Sequence, residues 1–205
     1  MSNHAFIRRA GALAATLALA VTSTFGLAAC GGPSVEETIK KQVVTDLDQI
    51  KSASADEIKD VLGQDEWDSL SSSGIDVEKF YNACVKHFSY EEPAVTADGD
   101  TATVTISVTN VDIKQVFANW ESEALEYAGS EEAQSDYESI GEDGIMEKVF
   151  EMLYSKLDAD DAPLTTADVQ IDFKKDSDGS WVPSDESQLG SVLFAGVDPS
   201  TIETE

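Results

Sequence analysis

A thiol and an imidazole stand three residues apart at Cys84 and His87, a spacing that on a helix brings both toward one face. Such a pair supports nucleophilic chemistry when the imidazole draws off the thiol proton. The neighbours point elsewhere. Val77, Phe80, Cys84 and Phe88 follow one another at steps of three and four, so Cys84 belongs to an apolar helical stripe, and a stripe of that kind is buried. Packing is the expected role of Cys84, and His87 is expected to sit quietly at the helix end. The other abundant chemical group is the carboxylate. Asp176-Ser177-Asp178-Gly179 matches positions three to six of a calcium-binding EF-hand loop, yet position one is then Lys174 and position twelve is Asp185 in place of Glu. Asp158, Asp160 and Asp161 form a second cluster without a glycine turn. Zinc would need more imidazole or thiolate than the chain provides, and no glycine-rich phosphate loop or Gly-x-Ser-x-Gly elbow occurs. No catalytic residue, metal or cofactor is expected from these patterns.

Charge narrows the partners. The 205 residues hold 40 Asp+Glu against 13 Lys+Arg, a formal charge of -27. Both arginines, Arg8 and Arg9, lie in the first ten residues, and no acid precedes Cys30. Everything after Arg9 therefore carries its positive charge on lysine alone, which removes the bidentate clamp that carboxylate and phosphate ligands favour. A surface this acidic repels nucleic acid and anionic head groups. Nucleic-acid binding is not expected. The hydrophobic fraction of 41% is too high for a disordered acidic chain, so one globular domain is expected over residues 34–198, with residues 199–205 as a frayed tail.

The first 30 residues read differently from the rest. Arg8 and Arg9 form a basic start, an apolar run extends from Ala10 through Ala29, and the segment closes as Leu27-Ala28-Ala29-Cys30-Gly31. These are the parts of a bacterial export signal. The ending resembles the lipobox of bacterial lipoproteins. That resemblance implies a signal peptide over residues 1–29, removed by cleavage, and lipid attachment to Cys30, which becomes the first residue of a short tether over residues 30–33. Two acyl chains suffice for stable anchoring without a transmembrane helix. The expected location is the extracytoplasmic face of the cell membrane. Arg8-Arg9 also fits twin-arginine export, although Gly11 and Ala12 stand where that signal prefers bulky apolar residues.

Behind the leader the periodicity gives an α+β order. Ser34 with Glu37 forms a capping box, and Val35, Ile39, Val43, Leu47 and Ile50 mark one helix face. Ala55 to Ser71 repeats the pattern more weakly across Gly63, and Asp76 caps a third piece from Val77 to about His87. A helical part over residues 34–87 follows. Thr101 to Thr109 then alternates strictly, with Ala102, Val104, Ile106 and Val108 on one face and hydroxyls on the other. Asp98-Gly99-Asp100 predicts a tight turn, with Phe88 to Ala97 as the antiparallel partner. The apolar positions change parity after Thr109, which predicts a β-bulge near Asn110 or the end of the strand. Helical spacing returns through Val116 or Phe117, Trp120 and Ala124, and again through Ile145, Val149, Leu153 and Leu157; Gly129 to Gly144 between them reads as an exposed, mobile acidic loop. A second hairpin alternates at Val169, Ile171 and Phe173, turns at Asp176 to Gly179, and returns through Trp181 until Pro183 ends it. Leu189, Val192 and Leu193 predict a short last helix ending at Gly196.

This order, with Asp98-Gly99-Asp100-Thr101-Ala102-Thr103-Val104-Thr105, Thr109-Asn110-Val111-Asp112 and Asp178-Gly179-Ser180-Trp181, resembles the cystatin-like or nuclear-transport-factor-like roll over about residues 77–194. Similar patterns recur in small Gram-positive lipoproteins of unknown function. The resemblance implies helices packed on a curved antiparallel sheet around a cone-shaped cavity. On elements that such a roll turns inward, Phe88, Tyr90, Phe117, Trp120, Tyr154 and Trp181 are the candidate lining of a cavity for a neutral or cationic small ligand, with core filling as their alternative role. The expected function is a non-enzymatic, membrane-anchored module that binds an extracellular protein or such a ligand. The alternatives are a small enzyme using the cavity and an atypically small solute-binding lipoprotein.

Overall fold

A computed structural model describes residues 34–185 and 187–197. The leader with Cys30, the tether and the C-terminal tail lie outside the described residues. The architecture is α+β, with seven helices and an antiparallel sheet of five strands among the described residues. The helices are α1 (Val35–Ser52), α2 (Ala55–Leu62), α3 (Gln64–Ser72), α4 (Val77–Val85), α5 (Ile113–Ala128), α6 (Glu131–Leu157) and α7 (Ser187–Leu193). The strands are β1 (Ser89–Tyr90), β2 (Ala94–Asp98), β3 (Thr101–Val111), β4 (Leu164–Lys175) and β5 (Trp181–Pro183).

Local chemistry explains the helix starts. Ser34 and Ser54 each accept from the N–H three residues on, while Glu37 and Glu57 reach back to the cap N–H, so α1 and α2 both open on complete capping boxes. Asp76 caps α4 by accepting from the Lys79 N–H at 2.9 Å. Gly63, with φ +79°, separates α2 from α3.

β3 is the centre of the sheet. β1 and β2 share one of its edges, β4 lies on the other, and β5 pairs beyond β4. The β3–β4 register runs unbroken from Thr101↔Lys174 to Val111↔Leu164. The parity change at Asn110 is therefore the strand's end and not a bulge in that ladder. The extra residue sits on the other edge: Tyr90 faces Val108 and Ala94 faces Thr105, so three residues, Glu91 to Pro93, span the two positions Ser107 and Ile106. Pro93 has no N–H to give a ladder, which divides the expected single strand from Phe88 to Ala97 into β1 and β2.

The core gathers on the even face of β3. Ala102, Val104, Ile106 and Val108 are buried there with Phe80 and Cys84 of α4, Leu153 and Leu157 of α6, and Val192 and Leu193 of α7. Each large side chain so buried is worth about 1.5 to 3 kcal/mol. Asn110 shares that face and is fully buried; its Nδ2 donates to the carbonyls of Cys84 at 3.0 Å and Leu193 at 2.6 Å. One amide thus ties the ends of α4 and α7 to the central strand. The opposite face bears Thr103, whose hydroxyl donates to Asp172, and Thr109, hydrogen-bonded to Thr166.

The largest departure from the sequence reading is residues 131–144. In place of a mobile loop, they form the first half of α6, antiparallel to α5 across a two-residue turn. Ser130 caps this half by accepting from the Ala133 N–H at 3.1 Å, and Tyr127 donates to Asp136 at 2.8 Å across the turn. Lys148 then pairs with both Glu132 and Asp136 from the second half. Gly141 (φ +71°, ψ −174°) kinks α6 between the halves. That conformation suits glycine alone, and it breaks the apolar spacing by which a helix is recognised.

Candidate functional site

The long helices leave an open groove of about 1580 Å³ between the α3–α4 corner and the α5–α6 pair. Each wall has a local cause. Gly74, at φ +83°, ends α3 and lets Ile75 N–H reach back to the Leu70 carbonyl at 3.2 Å; a Cβ at position 74 would lie 3.7 Å from Met146 Cγ. The corner therefore approaches α6 closely. Tyr154 of α6 is buried and its hydroxyl accepts from the Asp76 N–H at 3.0 Å, which fixes the start of α4 against α6. Trp120 of α5, also buried, donates through Nε1 to the Val149 carbonyl at 2.8 Å and meets Phe117 edge-on at 5.8 Å. These contacts hold α4, α5 and α6 at fixed spacing along the groove.

The floor is apolar and partly open to water. Leu125 is 56% exposed, Ile140 50% and Met146 36%, and all three line the groove beside half-buried Trp67, Ala124 and Val149. They make up three of the five exposed large hydrophobic side chains among the described residues, so the groove concentrates apolar surface that the fold leaves unused. Ile140 owes its place to Gly144, since a Cβ there would come within 2.6 Å of the Ile140 Cβ.

The rim is acidic. Glu78, Glu121, Glu142, Asp143 and Glu147 lie along the groove and take part in none of the ion pairs among the described residues. Both lysines on its walls already hold carboxylates: Lys79 pairs with Glu151 at 2.6 Å, and Lys148 pairs with Glu132 at 2.6 Å while lying 4.8 Å above the Tyr127 ring. Those contacts raise the pKa of each ammonium, the hydrogen-bonded carboxylates being the main cause.

The structure separates the six aromatic residues singled out above. Trp120 and Tyr154 border the groove, whereas Phe88, Phe117 and Trp181 are buried in the core and Tyr90 is half-buried, its hydroxyl donating to Asp48 at 2.8 Å. Sequence reasoning missed Leu125, Ile140 and Met146. The available signal was an apolar side chain out of step with its helix stripe.

Cys84 and His87 occupy different environments. Cys84 is fully buried and burial pushes its thiol pKa up, opposite to what a nucleophile needs. His87 Nε2 lies 2.9 Å from the Ala159 carbonyl, so that nitrogen carries the proton and donates. In the Asp176 to Gly179 turn, Asp176 accepts from the Ser177 N–H and Asp178 from both the N–H and hydroxyl of Ser180, an arrangement that lowers the Asp178 pKa. These carboxylates build the turn. A further carboxylate, Asp46 on α1, has its pKa raised to about 7 by burial, but it does not line the groove.

No helix among the described residues is long and apolar enough to cross a membrane. No protein-family model matches the chain, and no curated protein matches it. Among solved structures it is similar to YcdA of Bacillus subtilis, which carries a provisional lipoprotein assignment, with 17% identity and a TM-score of 0.44 over 73% of this chain and 49% of that one. The chain thus spans about half the length of that protein, and an overlap this weak transfers neither fold nor function.

Proposed function

We propose that this chain is an exported lipoprotein, anchored through Cys30 on the extracytoplasmic face of the membrane, and that it binds a partner without catalysing a reaction. The ending Leu27-Ala28-Ala29-Cys30 carries the first half of this reading, as small residues before a cysteine are what lipoprotein processing requires. The groove supports the second half. It gathers exposed apolar side chains in one place, which is the mark of an interaction surface. An enzyme would need an activated group at that surface, such as a carboxylate of raised pKa inside an apolar pocket. The raised carboxylate, Asp46, lies away from the groove, and the thiol of Cys84 is buried.

Cys30→Ala tests the anchor: it is expected to abolish both lipid labelling and sedimentation with membranes. A variant that still sediments with membranes would overturn the lipoprotein reading. Native mass spectrometry of the purified protein tests binding, with a retained ligand or partner as the expected result.

A further inference from the structure

We infer that the groove receives a cationic amphipathic helix from a partner peptide or protein. This rests on the binding function proposed above and assigns its ligand class. The floor of Leu125, Ile140 and Met146 fits the apolar face of a helix, whose contacts repeat at i, i+3, i+4 and i+7. The rim fits the opposite face. Glu78, Glu121, Glu142, Asp143 and Glu147 are outside the ion pairs among the described residues, and Lys79 and Lys148 are already neutralised. Lysine or arginine side chains of an occupant lay their aliphatic stems on the floor and bring their charges to that rim.

Charge and size narrow the occupant further. An acidic peptide, an anionic lipid head group or a nucleic acid meets like charge along the rim. A second copy of this chain brings the same acidic surface, since the whole protein stands at -27. A neutral small ligand fills part of the floor and leaves the rim without partners. The groove of about 1580 Å³ exceeds the roughly 300 to 1,000 Å³ usual for small-molecule sites. A helix about 10 Å across and about 20 Å long, or about 13 residues, occupies about that volume.

The test uses the full chain in phosphatidylcholine nanodiscs, with empty nanodiscs as the blank. The probe is a fluorescent leucine–lysine peptide of about 14 residues with amphipathic helical spacing, carrying one benzophenone for photo-crosslinking. Two peptides serve as controls, one with every lysine replaced by glutamate and one of the same composition with leucine and lysine alternating. The helical cationic peptide is expected to bind at least tenfold more tightly than either control, with affinity that falls as salt rises. The double substitution Glu142→Lys with Glu147→Lys is expected to weaken it by roughly tenfold, and Leu125→Ser with Ile140→Ser by roughly fivefold or more. All four side chains are exposed, so an unchanged melting temperature shows that the fold survives. Crosslinks should fall on residues of the α3–α4 corner and the α5–α6 pair. Equal binding of the glutamate peptide overturns the charge class. Loss on charge reversal with no effect of the serine pair shows diffuse attraction to an acidic surface and overturns the groove as the seat. If the peptide fails while native mass spectrometry finds another ligand crosslinked to these helices, the ligand class is wrong and the binding function stands. Crosslinks elsewhere with no retained ligand overturn both.

Discussion

Asp46→Asn should make the protein more stable, and only above about neutral pH. Asp46 falls in the buried stripe of α1 with Ile39, Gln42, Val43 and Leu47, and its Oδ1 is buried without a hydrogen-bond partner. Burial disfavours the charged form and raises the pKa from 3.8 to about 7. The folded state therefore holds this proton more tightly than the unfolded chain does. The associated stability is present in full below about 3.8 and is lost as pH rises through about 7. At about 1.36 kcal/mol per pH unit, the full shift would amount to about 4 kcal/mol. The side chain is only half-buried and water screens it, so we take about 2 kcal/mol as the realised cost of ionising Asp46 in the fold. Asparagine keeps the shape and removes the charge. In urea melts the variant should exceed the parent protein by about 2 kcal/mol at pH 8, which for a domain of this size is about 4 to 8 °C in Tm. The two should agree within about 0.5 kcal/mol near pH 4.5. A gap that is the same at both pH values would refute the reasoning, because it would show that substitution acts through packing and not through ionisation.

Two further substitutions probe the helices. Gly141→Ala places a side chain at φ +71° with open space around it, so the cost is conformational alone and should be about 1 to 3 kcal/mol; a variant as stable as the parent would mean that α6 runs straight there. Cys84 should resist thiol reagents until the domain unfolds, and Cys84→Ser should cost about 1 to 3 kcal/mol by burying a hydroxyl. Rapid alkylation of the native thiol, slowed when His87 is replaced, would instead mark a catalytic pair.

The elements that sequence reading recovered share one property, a repeat carried by apolar side chains on a single buried face. Val35 to Ile50, Thr101 to Thr109 and Val169 to Phe173 all show it, and caps at Ser34 and Asp76 set their starts. Residues 131–144 lack it because Gly141 turns the helix axis before a full stripe develops, and acids fill the exposed positions. Their helicity rests on the Ser130 cap and on Lys148, which reaches back over more than ten residues, a partnership that no local window shows. A loop of that length inside a small domain was itself a warning. Asp46 and Gln42 were hidden for the opposite reason, since they occupy the buried stripe of α1 with polar side chains. The groove is the least legible feature. Trp67, Gly74, Leu125, Ile140 and Met146 come from four parts of the chain, and only the turn at Gly129 and the kink at Gly141 bring them together.

The α5–α6 pair also decides how the sheet can form. β3 and β4 are separated by residues 112–163, and closing a flexible loop of that length costs about 3.5 kcal/mol of chain entropy before a single ladder bond forms. Two antiparallel helices remove most of that cost, because they return the chain to its starting point, where Asp112 N–H donates to the Pro163 carbonyl at 2.7 Å. The longest ladder of the protein is in effect a hairpin whose turn is a pair of helices. Folding should therefore zip β3 onto β4 from Val111↔Leu164 toward Thr101↔Lys174. Pulsed hydrogen exchange during refolding reads that order directly, with amides at the Val111 end protected before those at the Thr101 end. Arrest of the chain before residue 164 leaves β3 without its long partner, so the central sheet is completed only when the last quarter of the protein has been made.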